Sequence, residues 1–126
     1  MARILIAEDE EPMRTLIARA LAEDGHLVTA AADGAEALDM LQSGAGGFDL
    51  LLADIKMPVM DGIALALAAA RDFPKLPILL MTGYADQRER AFGLDALISD
   101  VIAKPFALAE IKSAVVAAMA KGRQRP

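Results

Sequence analysis

Short unbroken apolar runs alternate along this chain with longer stretches in which apolar residues recur at helical spacing. Ile4 to Ala7, within the segment Arg3 to Ala7 (RILIA), is the first run, continuous as expected for a strand buried on both faces. Met13, Leu16, Ile17, Ala20 and Leu21 then form a helical stripe, with Pro12 in a first-turn position and Gly25 as the stop. His26 to Ala31 predicts a second strand. Asp33, three residues before Glu36, is an acid-first helix-starting cap, and Ala37, Leu38 and Leu41 are the inward stripe of the helix it opens. The glycine-rich run from Gly44 to Gly47 ends that helix.

Phe48 to Ala53 (FDLLLA) predicts the third strand, and a loop from Asp54 to Gly62 leads into a helix from Ile63 to about Asp72. The almost wholly apolar stretch Ile63 to Ala70 fits a plain buried helix best, the alternative being a helix with one alanine-rich face left for a partner. Phe73-Pro74-Lys75-Leu76-Pro77 breaks it. Ile78 to Met81 is the fourth strand, and Asp86 to Phe92 reads as a short, exposed polar helix. Val101 to Ala103 is the fifth strand, followed by a helix from Leu108 to Ala120 with Leu108, Ile111, Val115 and Met119 inward. Five strand-then-helix units imply right-handed crossovers, and so an α/β fold with a doubly wound five-stranded parallel sheet.

In such a sheet, ligands and chemistry collect outside the carboxyl ends of the strands. The first strand runs into Glu8-Asp9-Glu10-Glu11, the third into Asp54, the fourth ends at Thr82-Gly83, and the fifth runs into Lys104-Pro105-Phe106. The predicted topology therefore gathers carboxylates, a hydroxyl and a lysine at one edge.

Size and composition narrow what that edge does. With 126 residues the chain predicts one domain, large enough for its own core. A net charge of −5 argues against general nucleic-acid binding, which needs a basic face. The basic run Lys121 to Pro126 reads as a solubilising tail. With no cysteine, thiolate catalysis and Cys-based metal sites are excluded. Met1-Ala2-Arg3 leads straight into a strand without a signal-peptide pattern, and Ile63 to Ala70 is too short to cross a bilayer. No membrane association and a cytoplasmic location are expected.

Glu8, Asp9 and Asp54 repel one another unless a cation is present or one of them keeps a proton. Mg²⁺ suits such a site, since it tolerates one or two carboxylates completed by waters and a phosphate. Lys104 supplies a point charge for a phosphoryl oxygen and Thr82 a hydroxyl. Gly83 lets backbone approach a bound group. A carboxylate such as Asp54 is also a nucleophile toward phosphorus. Each residue has a plainer reading: the acid run favours a helix N-terminus, Asp54 caps a helix, and Lys104 is solvated. Asp61-Gly62 reads mainly as turn and helix start, His26 as an ordinary residue, and the methionines as core filler. An Mg²⁺-dependent phosphohydrolase is a further reading. Such enzymes commonly place a second acid two residues beyond the strand-end aspartate, and Lys56 stands there instead.

ILIAEDE, LLLADIKMPVMDG, ILLMTG and IAKPF, in this order at successive strand ends, resemble the receiver domain of two-component response regulators, CheY-like in size. The resemblance runs from Arg3 to about Ala120 and implies a (βα)5 flavodoxin-like receiver over 1–120, with 121–126 as a basic tail. It implies that Asp54 is the phosphoacceptor, that Glu8 and Asp9 hold Mg²⁺ with Asp54 and the Lys56 backbone carbonyl, and that Thr82 is the switch hydroxyl. It further implies that Lys104 contacts the phosphoryl group and that a cis bond precedes Pro105. The phosphoryl donor is then a sensor histidine kinase or a histidine phosphotransfer protein.

Two positions depart from the family pattern. Val101 stands where an aromatic switch residue is common, leaving Tyr84 as the candidate moving group. Lys56 and Tyr84 flank the phosphorylation position and are expected to shield the phosphoryl group, giving it a long life. For output, a stand-alone switch binding a protein target is expected, as a monomer or weak dimer. The run MTGYADQRERA is similar to an alphaproteobacterial class of regulators of Clp-dependent proteolysis, which implies a Clp protease chaperone as partner. The alternative is a phosphate shuttle or sink in a phosphorelay.

Overall fold

The computed structural model describes residues 2–44, 47–83, 93–94 and 96–123. Among them are five strands: β1 (Arg3–Ala7), β2 (Leu27–Ala31), β3 (Leu50–Asp54), β4 (Ile78–Thr82) and β5 (Asp100–Ala103). Four helices accompany them: α1 (Glu11–Glu23), α2 (Gly34–Ser43) and α3 (Gly62–Asp72) between successive strands, and α4 (Leu108–Arg123) after β5. All strand pairs are parallel, in the order β2-β1-β3-β4-β5. This is the doubly wound, flavodoxin-like order, and the direction of winding changes beside β1 and β3. The helix expected over Asp86 to Phe92 falls on residues outside the described ones.

Strand alternation divides the core in two. Ile4, Ile6, Leu50, Leu52, Leu79 and Met81 point to one face, where Ile17 and Leu21 of α1 and Ile111, Val115 and Ala118 of α4 cover them. Leu5, Ala7, Leu51, Ala53, Ile78 and Leu80 point to the other, beneath Ala37 and Leu41 of α2 and Leu65, Ala66 and Ala69 of α3. β3 and β4 are buried along their whole length. Each buried Leu or Ile contributes about 1.5–3 kcal/mol of transfer free energy, which makes these central strands the firmest support for whatever sits at their ends.

Several expectations need correction. β3 begins at Leu50 rather than Phe48: Asp49 still donates its N–H to the Arg3 carbonyl at 2.7 Å, but its side-chain carboxylate takes the Arg3 N–H at 2.7 Å, and Phe48 lies under the Arg3 guanidinium. The strand continues through Asp54, so that carboxylate is held by the ladder and not by a loop. β2 starts at Leu27, and His26 instead accepts the Ala2 N–H on Nδ1. Leu16 is 48% exposed, since it lies about 100° around α1 from Ile17 and so on the flank of the buried stripe. α3 is not plainly buried: Ala64 and Leu67 face outward, because a helix in the outer layer turns only one side to the sheet. In α4, Leu108 is only half-buried while Ile111 and Val115 are fully covered, and the helix continues to Arg123.

Candidate functional site

The carboxyl ends of β1, β3, β4 and β5 converge on one cleft of about 510 Å³, lined by Asp9, Glu10, Met13, Asp54, Lys56, Gly83, Lys104, Pro105 and Phe106. Glu8 lies beneath it with no exposed surface. Its backbone N–H donates to the Ala31 carbonyl at 3.1 Å, which prolongs the β1–β2 ladder by one step beyond Ala7. Glu10 N–H approaches Glu8 Oε2 at 3.4 Å, and Arg14 Nη1 donates to the Glu8 carbonyl at 2.8 Å. One carboxylate oxygen from each of Glu8, Asp9 and Asp54 lies within 4.8 Å of the others.

Lys104 answers that charge directly. Its ammonium donates to Asp54 Oδ2 at 2.9 Å and to Glu8 Oε1 at 3.3 Å. The peptide bond from Lys104 to Pro105 is cis, as the family resemblance implies. The Lys104 N–H bonds the Thr82 carbonyl at 2.7 Å, which registers β5 against β4 and brings Thr82, itself buried, to the same edge. Lys56 is exposed at the mouth. Val101 is half-buried in β5 opposite Leu80, packed on the α2/α3 side of the core. Tyr84 lies outside the described residues. Gly83 is not demanded by the protein's own packing, since an added Cβ meets only the Lys104 side chain at 3.9 Å.

The electrostatics follow from that geometry. Burial pushes the Glu8 carboxyl up to about 7, the Asp54 charge and hydrogen bond add to the rise, and Lys104 and the Glu10 N–H oppose it. Burial alone lowers the Lys104 ammonium, but hydrogen bonds and charge from Asp54, then Glu8, outweigh it and hold the lysine above its ordinary value. One lysine does not neutralise three carboxylates, and the raised Glu8 carboxyl is the group that takes up a proton as pH falls through about 7. The donors are all hard oxygens, one buried and one exposed beside Asp54, and this set fits a small divalent cation in exchange for that proton.

Sequence reasoning overlooked the residues that shape the site from behind. In the sequence Gly62 signals only a turn and helix start, yet a Cβ there would lie 2.2 Å from the Asp54 carbonyl oxygen, and its N–H donates to Ile55 O at 2.8 Å. The loop after β3 thus folds back on the strand end at a distance only glycine permits. Val59 in that loop has φ 68° and sits between Pro58 O and Met60 N, bonded at 2.7 Å, a strained γ-turn. The capping residue Asp61 accepts the Ala64 N–H at 2.8 Å. Arg14 carried no sequence signal beyond a polar gap in the α1 stripe. A larger cavity of about 670 Å³ lies at the opposite strand ends between Phe48, Phe73 and Pro77. Its carboxylates are already engaged, Asp49 by the Arg3 N–H and Asp72 by Arg71 and Gln42.

The model of the response regulator receiver domain family matches residues 4–116. Response regulator MprA of Mycobacterium tuberculosis is 39% identical over 109 residues, 86% of this chain and 46% of that protein. The transcriptional regulatory protein TcrA of the same organism is 37% identical over 109 residues, 86% of this chain and 42% of its own length. The chain thus spans about half the length of the curated relatives it matches. Among solved structures, a CheY-like receiver domain protein of Methanospirillum hungatei superposes with TM-score 0.89 at 27% identity, covering 98% of both chains. Response regulator TrrA of Thermotoga maritima, solved in complex with Mg²⁺ and BeF, gives TM-score 0.83 at 31% identity over 94% of this chain and 99% of that one. With the acidic cluster, the buried threonine and the bridging lysine at one edge of a β2-β1-β3-β4-β5 sheet, this chain belongs to the response regulator receiver domain family.

Proposed function

We propose that this chain is a phosphorylation-controlled switch in which Asp54 accepts a phosphoryl group from a phosphohistidine donor, a sensor histidine kinase or a histidine phosphotransfer protein. The observation that carries the reading is the pairing of Asp54 and Glu8 with the same lysine, beside the Asp9 carboxylate. An Asp54 oxygen attacks phosphorus, the bond from phosphorus to the imidazole nitrogen breaks, and the ring nitrogen leaves with the electron pair. The ladder that holds Asp54 fixes the nucleophile, and phosphoryl transfer depends mostly on such positioning and on charge. Lys104, already beside Asp54, follows the added negative charge. Thr82, at the end of β4, is the hydroxyl for a phosphoryl oxygen. Glu8, Asp9, Asp54 and the Lys56 carbonyl are the proposed Mg²⁺ ligands; when bound, the cation supplies charge neutralisation at the phosphoryl oxygens.

The family is one of signalling phosphoacceptors, not turnover enzymes. Lys56 over the mouth is proposed to shield the phosphoryl group from hydrolytic water. The output surface is proposed to bind a protein, with control through a Clp protease chaperone resting on the sequence run MTGYADQRERA, of which residues 84–91 are outside the described part. No described helix is long and apolar enough to cross a membrane. The proposed location is cytoplasmic.

The deciding experiment incubates the protein with phosphoramidate and Mg²⁺ and follows its intact mass. A hydroxylamine-labile phosphoryl adduct in wild type that is absent from Asp54→Asn supports the reading. An adduct that survives this substitution, or no adduct at all, sinks it.

A further inference from the structure

The turn between β1 and α1 carries two of the three clustered carboxylates, yet it lacks the device that fixes its neighbours. α2 and α3 each start on an aspartate whose side chain accepts the backbone N–H three residues on, Asp33 from Glu36 and Asp61 from Ala64, both at 2.8 Å. α1 starts on Glu10, whose side chain makes no such bond. Arg14 instead reaches back from the helix and donates Nη1 to the Glu8 carbonyl at 2.8 Å, while its own N–H bonds Glu10 O at 2.9 Å. That carbonyl belongs to the peptide joining Glu8 to Asp9. Glu8 is fully buried and Asp9 exposed, so the tilt of the peptide between them decides whether both carboxylates offer an oxygen to one point.

We propose that Arg14 is a positioning residue for the acidic cluster: its guanidinium holds the Glu8–Asp9 peptide so that the Asp9 carboxylate stays within reach of a cation shared with Glu8 and Asp54. The proposal rests on the reading of this cluster as a divalent-cation site. Two effects of the arginine oppose each other. As a positive charge near three carboxylates it repels a cation, but it is only half-buried and solvent screens it. As a donor to the turn it preorganises the ligands, and loss of such an outer partner typically lowers metal affinity about 10- to 100-fold. Positioning therefore wins, and the sign of the change on removing Arg14 separates the two.

The test uses the full chain and Mn²⁺ as the probe, with unbound Mn²⁺ counted by electron paramagnetic resonance in wild type, R14A and R14K. R14A is expected to bind about tenfold more weakly, with R14K, which keeps the charge but not the planar fork, in between. The difference persists at high salt, where a pure charge effect is screened. In cation-free protein the ¹⁵N resonance of the Asp9 amide, which shares its peptide with the Glu8 carbonyl, shifts in R14A while core methyl resonances stay in place. Equal or tighter Mn²⁺ binding by R14A overturns the proposal and leaves Arg14 a counter-charge only. Should R14A fail to fold, R14K and R14Q carry the same comparison. A wild type that takes up no Mn²⁺ overturns the cation site itself, and the role of Arg14 with it.

Discussion

Lys104 Nζ lies 2.9 Å from Asp54 Oδ2, joining residues 50 positions apart in the chain, and the same ammonium reaches Glu8 Oε1 at 3.3 Å. The pair is nearly enclosed on the aspartate side and partly open on the lysine side. Substituting Lys104 by Met leaves two adjacent carboxylates without their cation. We expect a loss of about 1–3 kcal/mol in cation-free buffer near neutral pH, discounted from a fully buried pair because the lysine is partly exposed. Urea unfolding measures it, and Mg²⁺ is expected to restore part of the loss.

Glu8 makes stability depend on pH. Its carboxyl rises from 4.5 to about 7 on folding, so between those values the folded protein binds more protons than the unfolded chain. Stability therefore falls as pH rises through this window and levels off above it, by up to about 3 kcal/mol if the whole shift is expressed. Thermal unfolding from pH 5 to pH 8 without divalent cations reads the slope. Glu8→Gln flattens it, and saturating Mg²⁺ does so in wild type. A wild-type melting temperature that climbs across this range would refute the assignment.

After burial, Asp54 is the next cause of that rise, by charge and by hydrogen bond. In Asp54→Asn the Glu8 carboxyl is expected to titrate lower than in wild type. Carbon-13 chemical shifts of the Glu8 carboxyl against pH check this, and an unchanged midpoint contradicts the pairing.

Gly62 stands against the Asp54 carbonyl, where a Cβ meets backbone at 2.2 Å. Backbone does not yield as a flexible side chain does, so Gly62→Ala is expected to cost about 2–4 kcal/mol. Gly83→Ala, with its nearest contact at 3.9 Å, is the matched control and should cost far less. Denaturant midpoints of the two variants, measured side by side, decide it.

Val59 is 84% exposed and holds φ 68°, so its side chain gains little from burial and the backbone bears the strain. Val59→Gly is expected to stabilise the protein by about 0.5–1 kcal/mol, the relief of a left-handed β-branched residue less the added freedom of the unfolded chain. A lower urea midpoint for Val59→Gly would show that the side chain has contacts that outweigh the strain.

Much of this protein was legible in its sequence, because the relevant signals are local. Unbroken apolar runs such as ILIA and LLLA mark strands covered on both faces, stripes such as Ile17-Ala20-Leu21 mark helices, and their alternation implies a parallel sheet. Parallel strands end on the same edge, so Glu8, Asp9, Asp54, Thr82 and Lys104 were brought together by topology alone. Leu16, Leu108 and the outer side of α3 were misjudged because periodicity finds an apolar stripe without saying how much of it the sheet covers.

What only the tertiary structure decided is how those strand ends meet at atomic distance. The contact of Lys104 with Glu8 spans 96 positions, and the Glu8 carboxyl is lifted by burial and by Asp54 at the end of β3, with Lys104 just beyond β5 opposing the rise. Likewise the fit of Gly62 against Asp54 O and the reach of Arg14 to Glu8 O depend on how each loop folds back on its strand. Local composition encodes the direction each segment runs. The depth of a carboxylate and the ångström between a Cβ and a carbonyl come from packing segments remote in the chain, and these decide the charge and shape of the site.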